Sequence, residues 1–348
     1  MIEDIELRVS GQIYRGWKRA SVTRSIEQLS GTFQLGVTDV WDATAAPRPI
    51  RPGASCTLSI AGEKVISGYV DLAEPRFGRE THETSIRGRD RAGDLVDCAA
   101  LHDPDEWNGL RLERLVEILA RPFGVPVSAE TDTGAAFKKF KLQPGETVFA
   151  AIQRLCRMRG VLPVSDGLGN LRLTRAGSRR APTALESGPQ GNILSAEGEF
   201  TDRERHSEYI VRGFAQGSDQ AWGDELRAEG RAQDHAVRRH RPLLIMAEGQ
   251  VDARTAQQRA QWEATVRAGR ARRARYTVQG WTARGQLWQP NTRVAVRDSW
   301  LGIGDDMLIS GVRYQRSENG GTLTTLTVVH PDVFKLIALP EREEEIGW

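Results

Sequence analysis

Alternation of apolar and polar residues with a period of two runs through the opening of the chain, and it excludes a helical bundle there. In "IELRVSG" and "QIYRGWKRASVTRSI" the two residue types take turns, so an extended strand would have one apolar face and one wet face. "GTFQLGVTDVW" continues through Phe33, Leu35, Val37 and, after a shift in phase, Val40. "PIRPGASCTLSIAGEKVISGYVDLAEPRF" reads as two short strands around the turn Ala61-Gly62-Glu63-Lys64, and "ETHETSIRGRD" supplies another. Strands spaced by such turns predict a small antiparallel barrel or sandwich.

The period changes after Gly93. "LRLERLVEILARPFGV" places Leu112, Leu115, Val116 and Leu119 on one helical face, and Pro122 with Gly124 stops the helix. "ETVFAAIQRLCRMRG" writes a second helix ended by Gly160, with Val148, Ile152, Leu155 and Cys156 on one side. A hairpin follows, turning at Asp166-Gly167-Leu168-Gly169-Asn170. After the turn-rich "SRRAPTALESGPQGN" strand patterns return in "ILSAEGEFTD" and "HSEYIVRGFAQ". A helix is predicted over 251–273, and strands resume with "RYTVQGW", "TRVAVRDSW", "DMLISGVRYQRS" and "GTLTTLTVVHP". The fold class expected is α+β, mainly β. Its parts are a first β-barrel over 1–95, an α/β unit over 96–180 and a second β-barrel over 181–230 and 275–335. A helical insertion over 231–274 interrupts the second barrel, and an acidic tail over 336–348 ends the chain. No short repeat is visible, only a looser echo of β-rich, helical and β-rich stretches.

Chemistry is hard to find. "GRDRAGDLVDC" crowds Asp90, Asp94, Asp97 and Cys98 among arginines. If helical, its carboxylates share a face and suit a hard cation; as a junction, Arg87, Arg89 and Arg91 neutralise them. No GxSxG, HExxH, phosphate loop or GxGxxG follows a strand. Cys56, Cys98 and Cys156 form no CxxC pair, and His235 with His240 lack metal spacing. No metal, cofactor or catalytic residue is expected. A net charge of +2 gives no bulk argument for nucleic acid. The run "RAGRARRAR", with Arg267 and Arg270, fits either a polyanion patch or the C-terminus of a helix, where Glu263 pairs with Arg267. The N-terminus is unlike a signal peptide, and no apolar run is long enough to span a bilayer. Nine tryptophans against five tyrosines point to junctions or interfaces. Among them Trp281 and Trp288 flank a hairpin turn at Arg284-Gly285 and read either as core caps or as anchors for a neighbouring subunit.

Several pieces taken in order resemble the baseplate hub protein of phage Mu-type contractile tails, the tail protein P family. They include "RSIEQLSGTFQLGVTD", "VISGYVD", "GRDRAGDLVDCAA", "QPGETVFAAIQRLCRMRGVL", "DGLGNLRLTRAG", "RPLLIMAEG" and "GWTARGQLWQPNTRVAVRD". The chain departs from the family at Asp90, where Ser is more usual. The resemblance implies a structural protein, not an enzyme. It implies a homotrimeric ring whose six barrels match a tail tube or tube adaptor above and a trimeric central spike below. Other baseplate proteins are further partners, and DNA is a candidate passenger through the lumen. It implies a place in the virion tail baseplate, after assembly in the host bacterial cytoplasm. Arg267, Arg270, Trp281 and Trp288 are the candidate interface residues. Within the segment "LQPGETVFAAIQRLCRMRG" a weaker likeness to a LysM module keeps a cell-wall glycan-binding protein open, and with it a muralytic hydrolase.

Overall fold

The alternating segments form strands, and strands from both β-rich stretches meet in one sheet. The computed structural model describes residues 4–39, 50–78, 82–177, 179–214, 227–247, 252–318 and 320–337; Val40 and the acidic tail from 338 onward lie outside them. The first half holds β1 (Ile5–Val9), β2 (Gln12–Tyr14), β3 (Arg19–Ser25), β4 (Thr32–Asp39), β5 (Ser55–Ile60), β6 (Glu63–Phe77) and β7 (His82–Asp90). The middle holds α1 (Gly93–Asp97), β8 (Glu106–Asn108), α2 (Leu112–Ala120), β9 (Val127–Ala129), β10 (Lys139–Lys141), α3 (Val148–Arg159), β11 (Leu162–Ser165) and β12 (Leu171–Thr174). Then come β13 (Arg179–Arg180), β14 (Leu185–Glu186), β15 (Ile193–Phe200), β16 (Glu208–Phe214), β17 (Arg227–Gln233), β18 (Pro242–Met246) and α4 (Ala253–Arg270). The last strands are β19 (Arg272–Gln279), β20 (Thr282–Ala283), β21 (Gln286–Leu287), β22 (Thr292–Arg297), β23 (Asp306–Ser317) and β24 (Gly321–Val329).

Fourteen strands make the main sheet, in the order β15-β19-β24-β23-β3-β4-β7-β6-β5-β1-β2, with β22 on β23 and β13 and β14 on β22. The seam is antiparallel pairing of β3 with β23, from Ser25 opposite Gly311 to Ala20 opposite Arg316. The strands of both β-rich stretches therefore run into one another across this seam, within one sheet. Two strands far apart in sequence satisfy each other's backbone groups, and an unpaired edge would otherwise face water.

The two halves share a plan that the sequence only hints at. In the first, β3, β4, β7, β6 and β5 lie side by side; in the second, β15, β19, β24, β23 and β22 do, in the same chain-order pattern. Details match as well. A bulge falls in β6 between Val70 and Leu72 against β7, and in β23 between Ile309 and Gly311 against β24. Gly53 N donates to Val70 O at 2.8 Å, and Asn291 N to Ile309 O at 2.9 Å. Gly53 and Asn291 both have positive φ, 81° and 60°.

One sheet face is apolar and the other wet, as the alternation predicts. Along one row Val278, Thr324, Tyr314, Val22, Phe33, Gly88 and Val70 are successive partners across both halves. The core holds Ile5, Leu35, Leu58, Ile66 and Ile86 from the first half and Tyr276, Val296, Ile309 and Leu326 from the second. Burying each such side chain contributes about 1.5–3 kcal/mol.

The α/β unit has its own core, where α2 and α3 bury Leu115, Leu119, Ile152 and Leu155 beside Leu171 and Leu173 of the β9-β12-β11 sheet. Thr147 caps α3 by accepting from Ala150 N at 3.2 Å, and Gly160 ends it at φ 63°. The helical excursion differs from its expected bounds. Residues 208–214, read from their pattern as part of the second β stretch, pair instead with β17 and β18 in a separate three-stranded sheet. Helix α4 packs on that sheet through Ala256 and Ala260 against Val211 and Ala228. Alternation shows that a segment is a strand but not which sheet it joins.

Candidate assembly surface

"GRDRAGDLVDC" is a joint. Asp90 ends β7 and is 2% exposed, whereas helix α1 begins only at Gly93, so the three aspartates do not share a helical face. Its Oδ2 accepts from Gly31 N at 2.7 Å and Ser165 Oγ at 2.8 Å. Its Oδ1 accepts from Ala92 N at 3.0 Å and Ser30 Oγ at 3.1 Å. One carboxylate thus ties the β3–β4 connection, the start of α1 and the β11–β12 hairpin together. Burial pushes the Asp90 carboxyl above its usual range, and the four hydrogen bonds oppose that rise. Asp97 instead pairs with Arg89 at 2.6 Å, and Arg89 also holds Asp71 at 2.8 Å. Arg89 holds the Asp97 carboxyl below its usual range. No group of three or more potential metal ligands occurs among the described residues. Cys98 is exposed, while Cys56 and Cys156 are buried; burial pushes the Cys56 thiol up to about 12, far from thiolate chemistry.

Arg24 completes the joint from the seam. Its guanidinium donates to Gln289 Oε1 at 2.8 Å and to Asp166 O at 2.6 Å, linking both halves of the sheet with the α/β unit. The hairpin docks on β6 through Ser67 N, which donates to Gly167 O at 2.7 Å. A side chain at Gly167 would place its Cβ 2.3 Å from Val65 O, and its φ is 78°, so glycine is required there.

The candidate interface residues take different places. Trp281 and Trp288 flank a hairpin of β20 and β21 with Arg284 and Gly285 at positive φ, and both indoles are buried inside the chain. Trp281 Nε1 donates to Gln315 O at 2.9 Å, and Trp288 O accepts from Tyr314 Oη. Both therefore back the seam strand β23 from the core side. Arg267 pairs with Glu263 at 2.9 Å within α4, and Arg270 is exposed at the end of that helix. The arginine run does not form one patch. Arg272, Arg273 and Arg275 belong to β19 and pair with Asp305 at 3.2 Å, Glu27 at 2.7 Å and Glu197 at 3.0 Å.

Sequence reasoning missed two surfaces. The wet face of the sheet forms a trough of about 830 Å³ over the seam. Across that wet face Ser195, Thr277, Thr325, Arg313, Thr23, Thr32 and Arg89 are successive cross-strand partners, the first five lining the trough. Its ion pairs balance, with Arg19 on Glu83, Arg87 on Glu74 at 3.8 Å, and the β19 arginines on their acids. Such a wall offers hydration and mixed charge. The second surface is Trp300, 89% exposed on the loop after β22. That loop is ordered by Asp298, which accepts from Trp300 N at 3.0 Å and from Tyr276 Oη at 3.1 Å. An exposed aromatic held on a fixed loop is a suitable binding anchor. Its only sequence signal was the tryptophan count.

Known proteins share this arrangement. Residues 4–90 match the family described as "Mu phage baseplate assembly protein GpP-like, N-terminal". Residues 92–175 match "Baseplate hub protein gp44-like, second domain", and residues 252–337 match "Mu phage baseplate assembly protein GpP, fourth domain". Baseplate hub protein gp44 of Escherichia phage Mu is 34% identical over 359 residues, covering 100% of this chain and 93% of that protein. The 43 kDa tail protein of prophage MuSo2 from Shewanella oneidensis superposes with a TM-score of 0.86 at 35% identity, covering 96% of this chain and 100% of that one. The tail protein from Neisseria meningitidis MC58 has the same fold, with a TM-score of 0.81 at 24% identity over 97% of this chain and 99% of that one. The chain belongs to the baseplate hub family of phage Mu gp44.

Proposed function

We propose that three copies of this chain form a closed ring in a contractile-tail baseplate, with the wet face of the sheet lining the lumen. Each chain supplies two tube-like halves of like strand order, so three chains present six. Such a ring matches a sixfold tail tube on one side and a threefold spike on the other. Closed rings are built from head-to-tail contacts repeated around an axis.

The observation that carries this reading is the continuity of the wet face across the β3–β23 seam. A lumen wall must be hydrated and must not grip its passenger. Paired charges and threonines meet both needs, because exposed ion pairs contribute little and leave few unpaired cations for a polyanion. The role is structural and non-enzymatic, which agrees with the family and with Asp90 as a tie. Light scattering on the full chain, without added metal or nucleotide, tests it. The expected mass at micromolar concentration is that of three chains. A single-chain mass that stays unchanged when the spike partner is added counts against the ring.

A further inference from the structure

The two halves share one plan but end differently, and the difference locates a contact between copies. In the first half β3 pairs on its outer side with the second part of β23, from Gly311 to Arg316. The equivalent of β3 in the second half is β15, and its outer side has no partner among the described residues. Every residue from Leu194 to Phe200 is exposed. The equivalent of β23 in the first half is β6. It pairs with β5 only as far as Tyr69, and beyond the bulge at Val70 and Leu72 its outer side also has no strand partner among the described residues. Leu72, Pro75 and Arg76 are exposed. Among the described residues, each chain thus carries one finished seam and the two unmatched sides of a second.

Resting on the ring reading, we infer that β15 of one copy pairs antiparallel with the Leu72–Phe77 part of β6 in the next copy, in the register of the intrachain seam. The matching bulges fix that register. Leu72 stands where Gly311 does in β23, and Glu199, opposite Arg273 in β19, stands where Thr23 does opposite Thr32 in β4. Transferring the seam then sets Glu197 opposite Arg76 and Phe200 opposite Ala73.

The chemistry of the two sides agrees with the pairing. Glu197, which already holds Arg275 at 3.0 Å, gains a second cation in Arg76. Phe200 is 50% exposed on the apolar side of the strand and would be covered there. Leu301 reaches β15 beside Phe200, since a Cβ on Gly198 would lie 3.1 Å from its Cδ2, and the exposed Trp300 is its chain neighbour. The one like-charged pair, Glu199 opposite Glu74, has Arg273 as the cross-strand partner of Glu199 and Arg87 3.8 Å from Glu74. Pro75 removes one ladder hydrogen bond, and proline is tolerated on such an edge because it also discourages unselective pairing. Three chains joined this way hold six like seams, three within chains and three between them.

A disulfide tests the register. In the seam Ile26 N donates to Ser310 O at 2.9 Å, so the alternate pair of Ser21 and Gln315 is not hydrogen-bonded. The equivalent residues Glu197 and Arg76 would then have Cα atoms about 4.5 Å apart, within disulfide range. The full chain carrying Cys98→Ser, Glu197→Cys and Arg76→Cys is weighed by light scattering, then oxidised with diamide and run under denaturing conditions. The expected result is a three-chain mass and a reducible three-chain band, absent when either new cysteine is alone. A three-chain mass without that band overturns the pairing and leaves the ring standing. A single-chain mass for the unsubstituted chain that persists when the spike partner is added overturns the ring, and the pairing with it. As a second test, Glu197→Arg should weaken association at least about threefold, and adding Arg76→Glu should restore it. Failure of the double variant to recover also overturns the pairing.

Discussion

Strands β3 and β15 hold the same place in their halves, yet β3 is sealed in a seam and β15 has no partner on one side among the described residues. Behind β3 lie Val22, Tyr314 and Trp281, all buried, and around it Arg24 and Asp90 bind the halves to the α/β unit. Behind β15 lie Gly198 and a half-exposed Phe200. The same backbone plan thus serves folding at one site and remains available for assembly at the other. Changes at the seam should cost stability, and changes at the bare edge should cost association.

The largest expected effect is at the seam. Trp281→Ala removes a buried indole and its bond to Gln315 O, and should cost about 3–5 kcal/mol of folding stability, read by denaturant unfolding. If it instead left unfolding unchanged and shifted only the oligomer mass, Trp281 would be an interface anchor and the contrast would fail. Asp90→Ala comes next. It leaves Gly31 N, Ala92 N and Ser165 Oγ without their acceptor, for a loss of about 2–4 kcal/mol, while any chain that still folds should keep its oligomeric mass.

Asp90 also gives a pH signature. Its folded carboxyl titrates above its unfolded value, so its contribution is fully present below the unfolded value, near pH ~4, and declines as pH rises through the folded value. The stability gap between the natural chain and Asp90→Asn should therefore be wider at acid than at neutral pH. A gap that widens toward neutral pH would mean that the hydrogen bonds outweigh burial.

At the edge, Phe200→Ala should change unfolding by less than about 0.5 kcal/mol, because the ring is half exposed, yet raise the dissociation constant of the oligomer by a few-fold or more. An equal loss in both measurements would show β15 to be part of the folding core. The smallest effect belongs to Cys98→Ser, an exposed thiol with no role in either process. It should leave unfolding and mass unchanged.

Much of the fold was legible because strand burial and helix capping are local. The alternation in β3, β4 and β23, the Pro122 and Gly124 stop and the Gly160 cap all landed where the pattern put them. What failed was non-local. Nothing near Ser21 says that its partner is Gln315, and nothing in "HSEYIVRGF" says that it leaves the main sheet for one under α4. The sequence could place Asp90 at a junction but not name its partners, because Ser30, Gly31 and Ser165 come from two other segments. Tryptophan enrichment predicted junctions without telling the buried Trp281 and Trp288 from the exposed Trp300, since that depends on which faces the sheet closes over.

The most direct measurement is an electron cryomicroscopy reconstruction of the assembled ring at a resolution that separates strands. The account predicts three copies around the axis and six like seams, with β15 of each chain beside the Leu72–Phe77 part of β6 in the next and the Thr23–Arg313 face toward the lumen. A ring in which β15 faces solvent, or in which that wet face points outward, would contradict it.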